Sequence, residues 1–498
     1  MPTLLDKLGR YRSFTALLVG DYMLDQTVYG AAERLSPDAP VPVLHVDAAR
    51  SENLPGGAAN VALCLKALKG RVLCFGVVGD DAEGSTLTKT LADEGCDVSG
   101  IIADPTRPTT IKRSMVGLAQ HRHPQKMFRV DVESRTPLDD ALCDELIKRI
   151  EAALDEADVV CLEDYNKGVC TESLCRRLIE LCRSKNKPLI VDPAAIEDYS
   201  RYRGATAITP NRSEAEFATG LDTPLDATEL HNTELAATLG RSLDLEAVVL
   251  TLDRHGALLE ERGGKPTLVP TVARNVYDVS GAGDVVLAAL AAGRANGLTW
   301  REAVRFANAA AGLEVEVFGV QPIPFARVQR EILAQTGKLD GKARSLQELL
   351  IEIAAHRDAG RKVVFTNGCF DVIHAGHVAY LREAKTLGDV LIVAVNSDEQ
   401  VRIQKGEGRP VYDIGDRLDI LSELQCIDYL IEFADPTVHE LLRAIRPDVY
   451  VKGGDYSPEQ INEYDVVQEL GLDLRIVAHR PGLSSTGVIE QTRPAPAK

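Results

Sequence analysis

The chain has 498 residues, too many for one ordinary core and enough for two or three domains. Hydrophobic residues make up 45 % and charged ones 26 %, so each part has the material for a real core. The net charge of -18, without a basic run long enough to track a nucleic-acid backbone, speaks against nucleic acid as a partner but leaves phosphate ligands open.

The first fourteen residues read as a short helix before a strand, not as a leader, and no apolar run approaches the ~20 residues that span a bilayer. A cytoplasmic protein without a membrane partner is expected. Buried strands are predicted at 15–21, 71–79, 157–164, 187–193, 206–211 and 247–253, with helix-length stretches between them. That alternation argues for a mostly parallel sheet covered on both faces. Residues 36–57 and 107–133 break the rhythm and read as antiparallel ribbons outside the sheet. The ten cysteines are scattered, none at zinc-knuckle spacing, and are expected as buried reduced thiols. Proline, glycine and the lack of a strand make 326–345 a linker between a first domain, 1–325, and a second, 346–498. In the second, strands are predicted at 361–368, 389–397, 429–434 and 449–454. The tail TRPAPAK reads as frayed.

The sharpest chemical signal is Asp278-Val279-Ser280-Gly281-Ala282-Gly283-Asp284 before an apolar helix. Glycines at a helix start free backbone amides for a phosphate, and the helix dipole adds positive potential there. Asp284 is then placed to take a proton from an attacking hydroxyl. The plain alternative is a flexible turn with an acid in the first helical turn. Gly56, Gly57 and Asn60 open another helix suited to a polyhydroxyl ligand, and Asp21 ends the first strand, where such sheets bind ligands. Asn211 and Glu214 follow a strand and suit magnesium held through water. Thr251, Asp253 and Gly256 follow another strand, at the edge of a nucleotide site. Lys167, in Asp164-Tyr165-Asn166-Lys167-Gly168, is either a phosphate ligand or a solvated turn lysine.

This ordered set resembles the ribokinase family of carbohydrate kinases over about the first 320 residues. The resemblance implies a ribokinase-like sheet with a β lid. It implies Asp284 as base, an anion hole at Gly281, Ala282 and Gly283, and sugar contacts from Asp21, Gly56, Gly57 and Asn60. Asn211 and Glu214 would support magnesium and phosphates, and Asn308 would line the adenine pocket with Thr251, Asp253 and Gly256. Lys167 would meet a phosphate already on the sugar, helped by Lys112, Arg113 or Arg129 of the lid. The lid would also form a homodimer. Where the family has threonine after the first aspartate of the glycine motif, this chain has Val279.

In the second domain, Thr366-Asn367-Gly368-Cys369-Phe370-Asp371-Val372-Ile373-His374-Ala375-Gly376-His377 runs from a strand into a helix. Histidines three apart share a helix face, where two imidazoles can donate to a crowded phosphorus without acting as acid or base. A zinc pair and a simple helix cap are the alternatives. The stretch is similar to the cytidylyltransferase family over roughly 140 residues, implying a smaller Rossmann-like nucleotidyltransferase domain. His374 and His377 would be catalytic. Thr366, Asn367, Phe370, Asp371, Asp398, Lys405, Arg417, Lys452, Gly453, Asp455, Ser485 and Thr486 would bind ATP or substrate. Gly487 and the early tail depart from the family's longer last helix.

The two heads in this order resemble a family of bifunctional enzymes of heptose activation. That resemblance implies ATP and Mg2+, heptose 7-phosphate phosphorylated at C1, and heptose 1-phosphate converted to ADP-heptose for lipopolysaccharide. A pairing for another sugar or polyol using CTP, or a nucleotide-binding regulator with one inactive head, keeps the same motifs.

Overall fold

The computed structural model describes residues 3–118, 124–224, 229–271, 281–316, 321–335, 341–454 and 457–477, with the side chain of residue 48 excepted. Asp278, Val279 and Ser280, then Asp455, Arg480, Ser484, Ser485, Thr486, Gly487 and the tail lie outside the described residues. The chain divides into two compact units, one of Arg10–Val328 and one of Met1–Gly9 with Gln329–Lys498. The helix Phe325–Gln335 carries the chain from the first to the second and begins one residue before the stretch 326–345 read as a linker.

The first unit opens with β1 (Phe14–Gly20), β2 (Tyr22–Leu35), β3 (Pro42–Val46), β4 (Glu52–Gly57), β5 (Gly70–Gly79), β6 (Asp97–Asp104), β7 (Thr110–Leu118) and β8 (Gln125–Val132). It continues with β9 (Val159–Glu163), β10 (Leu189–Asp192), β11 (Ala207–Ile208), β12 (Ala247–Thr251), β13 (Ala257–Glu261) and β14 (Thr267–Val269). The main sheet has the order β14-β13-β12-β11-β10-β9-β1-β5-β6. It is parallel from β6 to β12 and antiparallel at the β13 and β14 edge. The near-continuous apolar runs of β1, β5 and β9 are what a strand covered on both faces requires. One covering helix, Glu172–Ser184, buries Leu174, Cys175, Leu178, Ile179 and Cys182 on one face, and Thr171 caps it by accepting Leu174 N–H at 3.1 Å. Strand order reverses between β1 and β9, which opens a crevice beyond their carboxyl ends.

The ribbons differ from the sequence reading. β3 and β4 pair not with each other but with successive halves of β2, whose other edge pairs in parallel with β7. With the β7–β8 hairpin this makes a five-stranded lid. In β2, Asp25, Gln26 and Thr27 split the apolar residues into Tyr22–Leu24 and Val28–Ala32, and so it escaped the pattern that marks the core strands.

The second unit holds β15 (Val363–Gly368), β16 (Val390–Asn396), β17 (Tyr429–Phe433), β18 (Val449–Gly453) and β19 (Asp473–Val477). These form an all-parallel sheet, β17-β16-β15-β18-β19, reversing between β15 and β18. β19 went unforeseen because its residues are mostly half-exposed. All ten cysteines are free thiols, eight of them buried. Among the described residues no helix is long and apolar enough to cross a membrane.

Candidate active sites

In the first unit the strand register sets acids side by side. Gly20 and Asp192 both pair with Glu163 across adjacent parallel strands, so Asp21, Glu163, Asp164 and Asp192 crowd the crevice. Asp21 is buried, and its carboxylate accepts the backbone N–H of Tyr165 at 2.8 Å, Lys167 at 3.0 Å and Val169 at 3.3 Å. Burial and the charge of Asp164 still push Asp21 up to about 6. Asp164 accepts the Tyr202 hydroxyl at 2.7 Å and Arg201 at 3.3 Å.

Gly281, at φ +90°, caps the helix Ala282–Ala295, and Ala282, Gly283 and Asp284 form its first turn. One Asp284 oxygen accepts Asn60 Nδ2 at 2.7 Å and the other accepts the Tyr165 hydroxyl at 2.9 Å. Burial raises Asp284 to about 6, against the lowering effect of those two donors. Gly57, at φ +55°, opens the helix Ala58–Ala67 that carries Asn60, and a side chain there would collide with Met23 and the Asp21 carbonyl. Gly56 packs as closely on the Asp25 carboxylate. Asp21, Gly56, Gly57, Asn60, Lys167 and Asp284 thus come together. Lys167 is ion-paired to Glu133.

Asn211 and Glu214 form a reciprocal cap of the helix Arg212–Thr219, each side chain accepting the other's backbone N–H at 2.9 Å. Asn211 bridges to Thr251 at the end of β12. Asp253, at φ +48°, and Gly256 shape the turn into β13, and Asn308 Nδ2 donates to the Val269 carbonyl of β14 at 2.8 Å. These residues line up along the β11 to β14 end of the sheet. Of the lid cations, Lys112 lies 4.5 Å over the Tyr165 ring, Arg113 donates to Gln26, and Arg129 pairs with Asp131.

Sequence reasoning missed Tyr165 as a partner of Asp284, and it missed Asp25, Glu163 and Asp192. The signal existed: each of the last two is an acid closing a buried apolar strand, as Asp21 nearly is. Carboxylate oxygens of Glu163, Asp192 and Asp284 lie within 4.8 Å of one another. Buried Glu163 Oε2 has no hydrogen-bond partner among the described residues, and burial with neighbouring acids drives Glu163 and Asp192 well above the carboxylate range. An acidic wall of this kind fits a divalent cation with hard oxygen ligands.

In the second unit, Thr366 and Asn367 end β15. The Thr366 hydroxyl lies 2.6 Å from that of Tyr380, and Asn367 Oδ1 accepts the Tyr450 hydroxyl at 2.8 Å. His374 caps the helix Ala375–Lys385, its Nδ1 accepting Gly376 N–H at 3.2 Å, which leaves the ring proton on Nε2 as a donor. The His374 and His377 rings stack at 4.0 Å between centroids, and Phe370, at φ +46°, packs 5.3 Å from His377. Neither histidine belongs to a metal-ligand cluster among the described residues.

The remaining charges are anchored. Asp371 is buried against Arg409 and accepts Val411 N–H at 2.5 Å. Arg417 is fully buried and donates to the Cys369 carbonyl and to Asp398, each at 2.6 Å. Lys452 pairs with buried Glu463 at 3.2 Å, and Gly453 packs on the Tyr380 ring. Lys405 is exposed at the end of the helix Asp398–Lys405, close enough to act electrostatically on Cys369.

A ribokinase-like sheet with its lid, and a smaller parallel sheet with stacked histidines at a helix start, define a carbohydrate kinase joined to a nucleotidyltransferase. Residues 16–326 match the pfkB family of carbohydrate kinases and residues 365–495 match the cytidylyltransferase-like family. The chain is 41 % identical over 483 residues to the bifunctional protein HldE of Geobacter sulfurreducens, covering 96 % of each. It is 40 % identical over 487 residues to that of Pelobacter propionicus, covering 97 % of each. The chain belongs to this HldE family of bifunctional proteins. In fold it is similar to Arabidopsis thaliana ribokinase complexed with ribose and ATP (TM-score 0.51, 21 % identity, 64 % of this chain and 99 % of that one). It is likewise similar to Escherichia coli phosphofructokinase-2 in complex with potassium (TM-score 0.53, 19 % identity, 65 % and 99 %).

Removing the guanidinium of Arg417 strips the Cys369 carbonyl and Asp398 of their donor inside the protein. Arg417→Ala is expected to destabilise the second unit by on the order of 3 kcal/mol, read as a lower urea midpoint for its unfolding.

Proposed function

We propose that the first head transfers the γ-phosphoryl group of ATP to the C1 hydroxyl of D-glycero-β-D-manno-heptose 7-phosphate, giving the 1,7-bisphosphate. The second head joins heptose 1-phosphate to the adenylyl group of ATP, releasing pyrophosphate and giving ADP-heptose for the lipopolysaccharide inner core. Because one head makes a bisphosphate and the other takes a monophosphate, a phosphatase acts between them. The heptose assignment rests on the resemblance of the whole two-headed chain to enzymes of heptose activation, and a cytoplasmic location follows from such substrates.

The observation that carries the kinase reading is the seating of Asp284. Asn60 and Tyr165 hold its two oxygens, and its pKa of about 6 leaves it ionised at neutral pH yet basic. The C1 oxygen attacks the γ-phosphorus, its proton passes to Asp284, and the bond to ADP breaks. The amides of Gly281, Ala282 and Gly283 at the helix start receive the charge of the transferring group. Asp21, Gly56, Gly57 and Asn60 hold the sugar, and Lys167 meets its phosphate. Asn211, Thr251, Asp253, Gly256 and Asn308 line the nucleotide. Glu214, with Asp192 behind it, would hold magnesium, whose charge offsets that of the phosphates.

In the second head the nucleophile is a phosphate already ionised, so no base is required. His374 and His377 donate to the α-phosphoryl group as it crowds, while Thr366, Asn367, Lys405 and Lys452 border the nucleotide. Phe370, Asp371, Asp398, Arg417 and Gly453 shape that border, with Asp455, Ser485 and Thr486 completing it.

A homodimer through the lid is supported by its exposed apolar side chains, Leu35, Val46, Leu54, Phe128 and Val130, each at least 39 % exposed.

Phosphorus NMR of the full chain tests both reactions: Asp284→Asn should abolish anomeric phosphate formation and spare pyrophosphate release, and His377→Ala the reverse. Loss of both from Asp284→Asn would overturn the two-site reading. Kinase kcat/KM should fall as pH drops through about 6, because Asp284 loses its base form there; a flat acid limb would remove it as the base. Phe128→Asp should shift the chain from dimer to monomer in sedimentation velocity, and an unchanged sedimentation coefficient would refute the lid interface.

A further inference from the structure

The ammonium of Lys167 already has an anionic partner. Glu133 follows directly on the last lid strand β8, and its carboxylate pairs with Lys167 Nζ in a contact where the two side chains are 22 % and 11 % exposed. The backbone of Lys167 is fixed independently, since its N–H donates to Asp21 at 3.0 Å. Lys167 and Asp21 also line one small cavity with Thr110 and Ser134. The neighbouring cation there, Arg107, is occupied: it donates to Asp104 at 3.1 Å and to the Thr136 carbonyl at 3.0 Å. Among the described residues Glu133 is held otherwise only by Arg135, at 3.1 Å, whose side chain is 68 % exposed.

We propose that Glu133 stands in for the phosphate of the incoming sugar, capping Lys167 in the empty site and competing with that phosphate for it. This rests on the reading of Lys167 as the phosphate contact. Two anions cannot share one ammonium at this burial without like-charge repulsion, so the phosphate binds only as the carboxylate leaves. The half-open position of Glu133 and its exposed second partner give it somewhere to go. A sugar without the phosphate has nothing with which to displace Glu133, so the residue sets how much the enzyme gains from the phosphate, and it ties the end of the lid to the 164–170 loop until substrate arrives.

The test is calorimetry and steady-state kinetics on the full chain with inorganic phosphate and heptose 7-phosphate. Glu133→Gln should tighten the Kd for phosphate and lower KM for the sugar phosphate by about five- to tenfold, with kcat little changed. Glu133→Asp, one methylene shorter, should move both in the same direction by less, and guards against a folding defect in the first variant. Lys167→Met should weaken binding of both probes. If Lys167→Met weakens them while Glu133→Gln leaves KM unchanged or raises it, Glu133 orients the lysine and the competition is refuted. If Lys167→Met has no effect, the phosphate reading of Lys167 fails and takes this inference with it.

Discussion

Three amide hydrogens from one short loop, those of Tyr165, Lys167 and Val169, converge on the carboxylate of Asp21. The contact bridges the point where the strand order reverses, joining the end of β1 to the segment after β9. It fixes that segment's backbone, which then aims the Tyr165 hydroxyl at Asp284 and holds Lys167 against Glu133. Without those amides, Asp21 would be a buried anion beside Asp164 with no local compensation. The loop that satisfies the acid is therefore the loop that builds the site.

That arrangement is electrostatically strained by design of the register. Parallel pairing places Asp21, Glu163 and Asp192 at neighbouring strand ends, and the helix carrying Asp284 adds a fourth acid. A core optimised for stability alone would not gather them, since burial drives their pKa values upward and favours protonation. A phosphate-bound magnesium ion, as proposed, would bring balancing positive charge to these acids. Hydrogen bonds pull the other way at Asp21 and at Asp284, which stay near 6, whereas Glu163 and Asp192 are driven well above the carboxylate range.

The parts of this that were legible in the sequence are those with a local signature. Asp284 could be read because glycines precede it and an apolar helix follows, and Asn60 because Gly56 and Gly57 open its helix. His374 and His377 were legible from three-residue spacing at a helix start. Glu163 and Asp192 were not, because their meaning comes from which strands are neighbours, and strand order is not written in either segment. β2 was missed for a more local reason: Asp25, Gln26 and Thr27 split its fourteen residues, so neither one continuous apolar run nor a clean alternation marks it. Arg417 reads as a ligand in sequence, whereas its guanidinium is closed in by Cys369 and Asp398, a fact that depends on how two loops meet.

The two sites hold their acids differently, and the proposed chemistry gives a reason. On the proposed reading, a sugar hydroxyl must lose a proton to attack phosphorus, so the kinase crevice needs a carboxylate whose pKa has been raised towards neutrality, and burial is what raises that of Asp284. A sugar phosphate is already an anion and needs no base. On the same reading it needs donors for the crowded α-phosphoryl group, a role that the stacked imidazole pair at a helix start would fill. Among the described residues, Asp371 is paired with Arg409, Asp398 with Arg417 and Glu463 with Lys452. The same sheet geometry, a parallel order that reverses to open a crevice, thus carries two arrangements of acids. Among the described residues Glu163, Asp192 and Asp284 lie close together without an ion pair to a cation, whereas Asp371 and Asp398 of the second head each have an arginine.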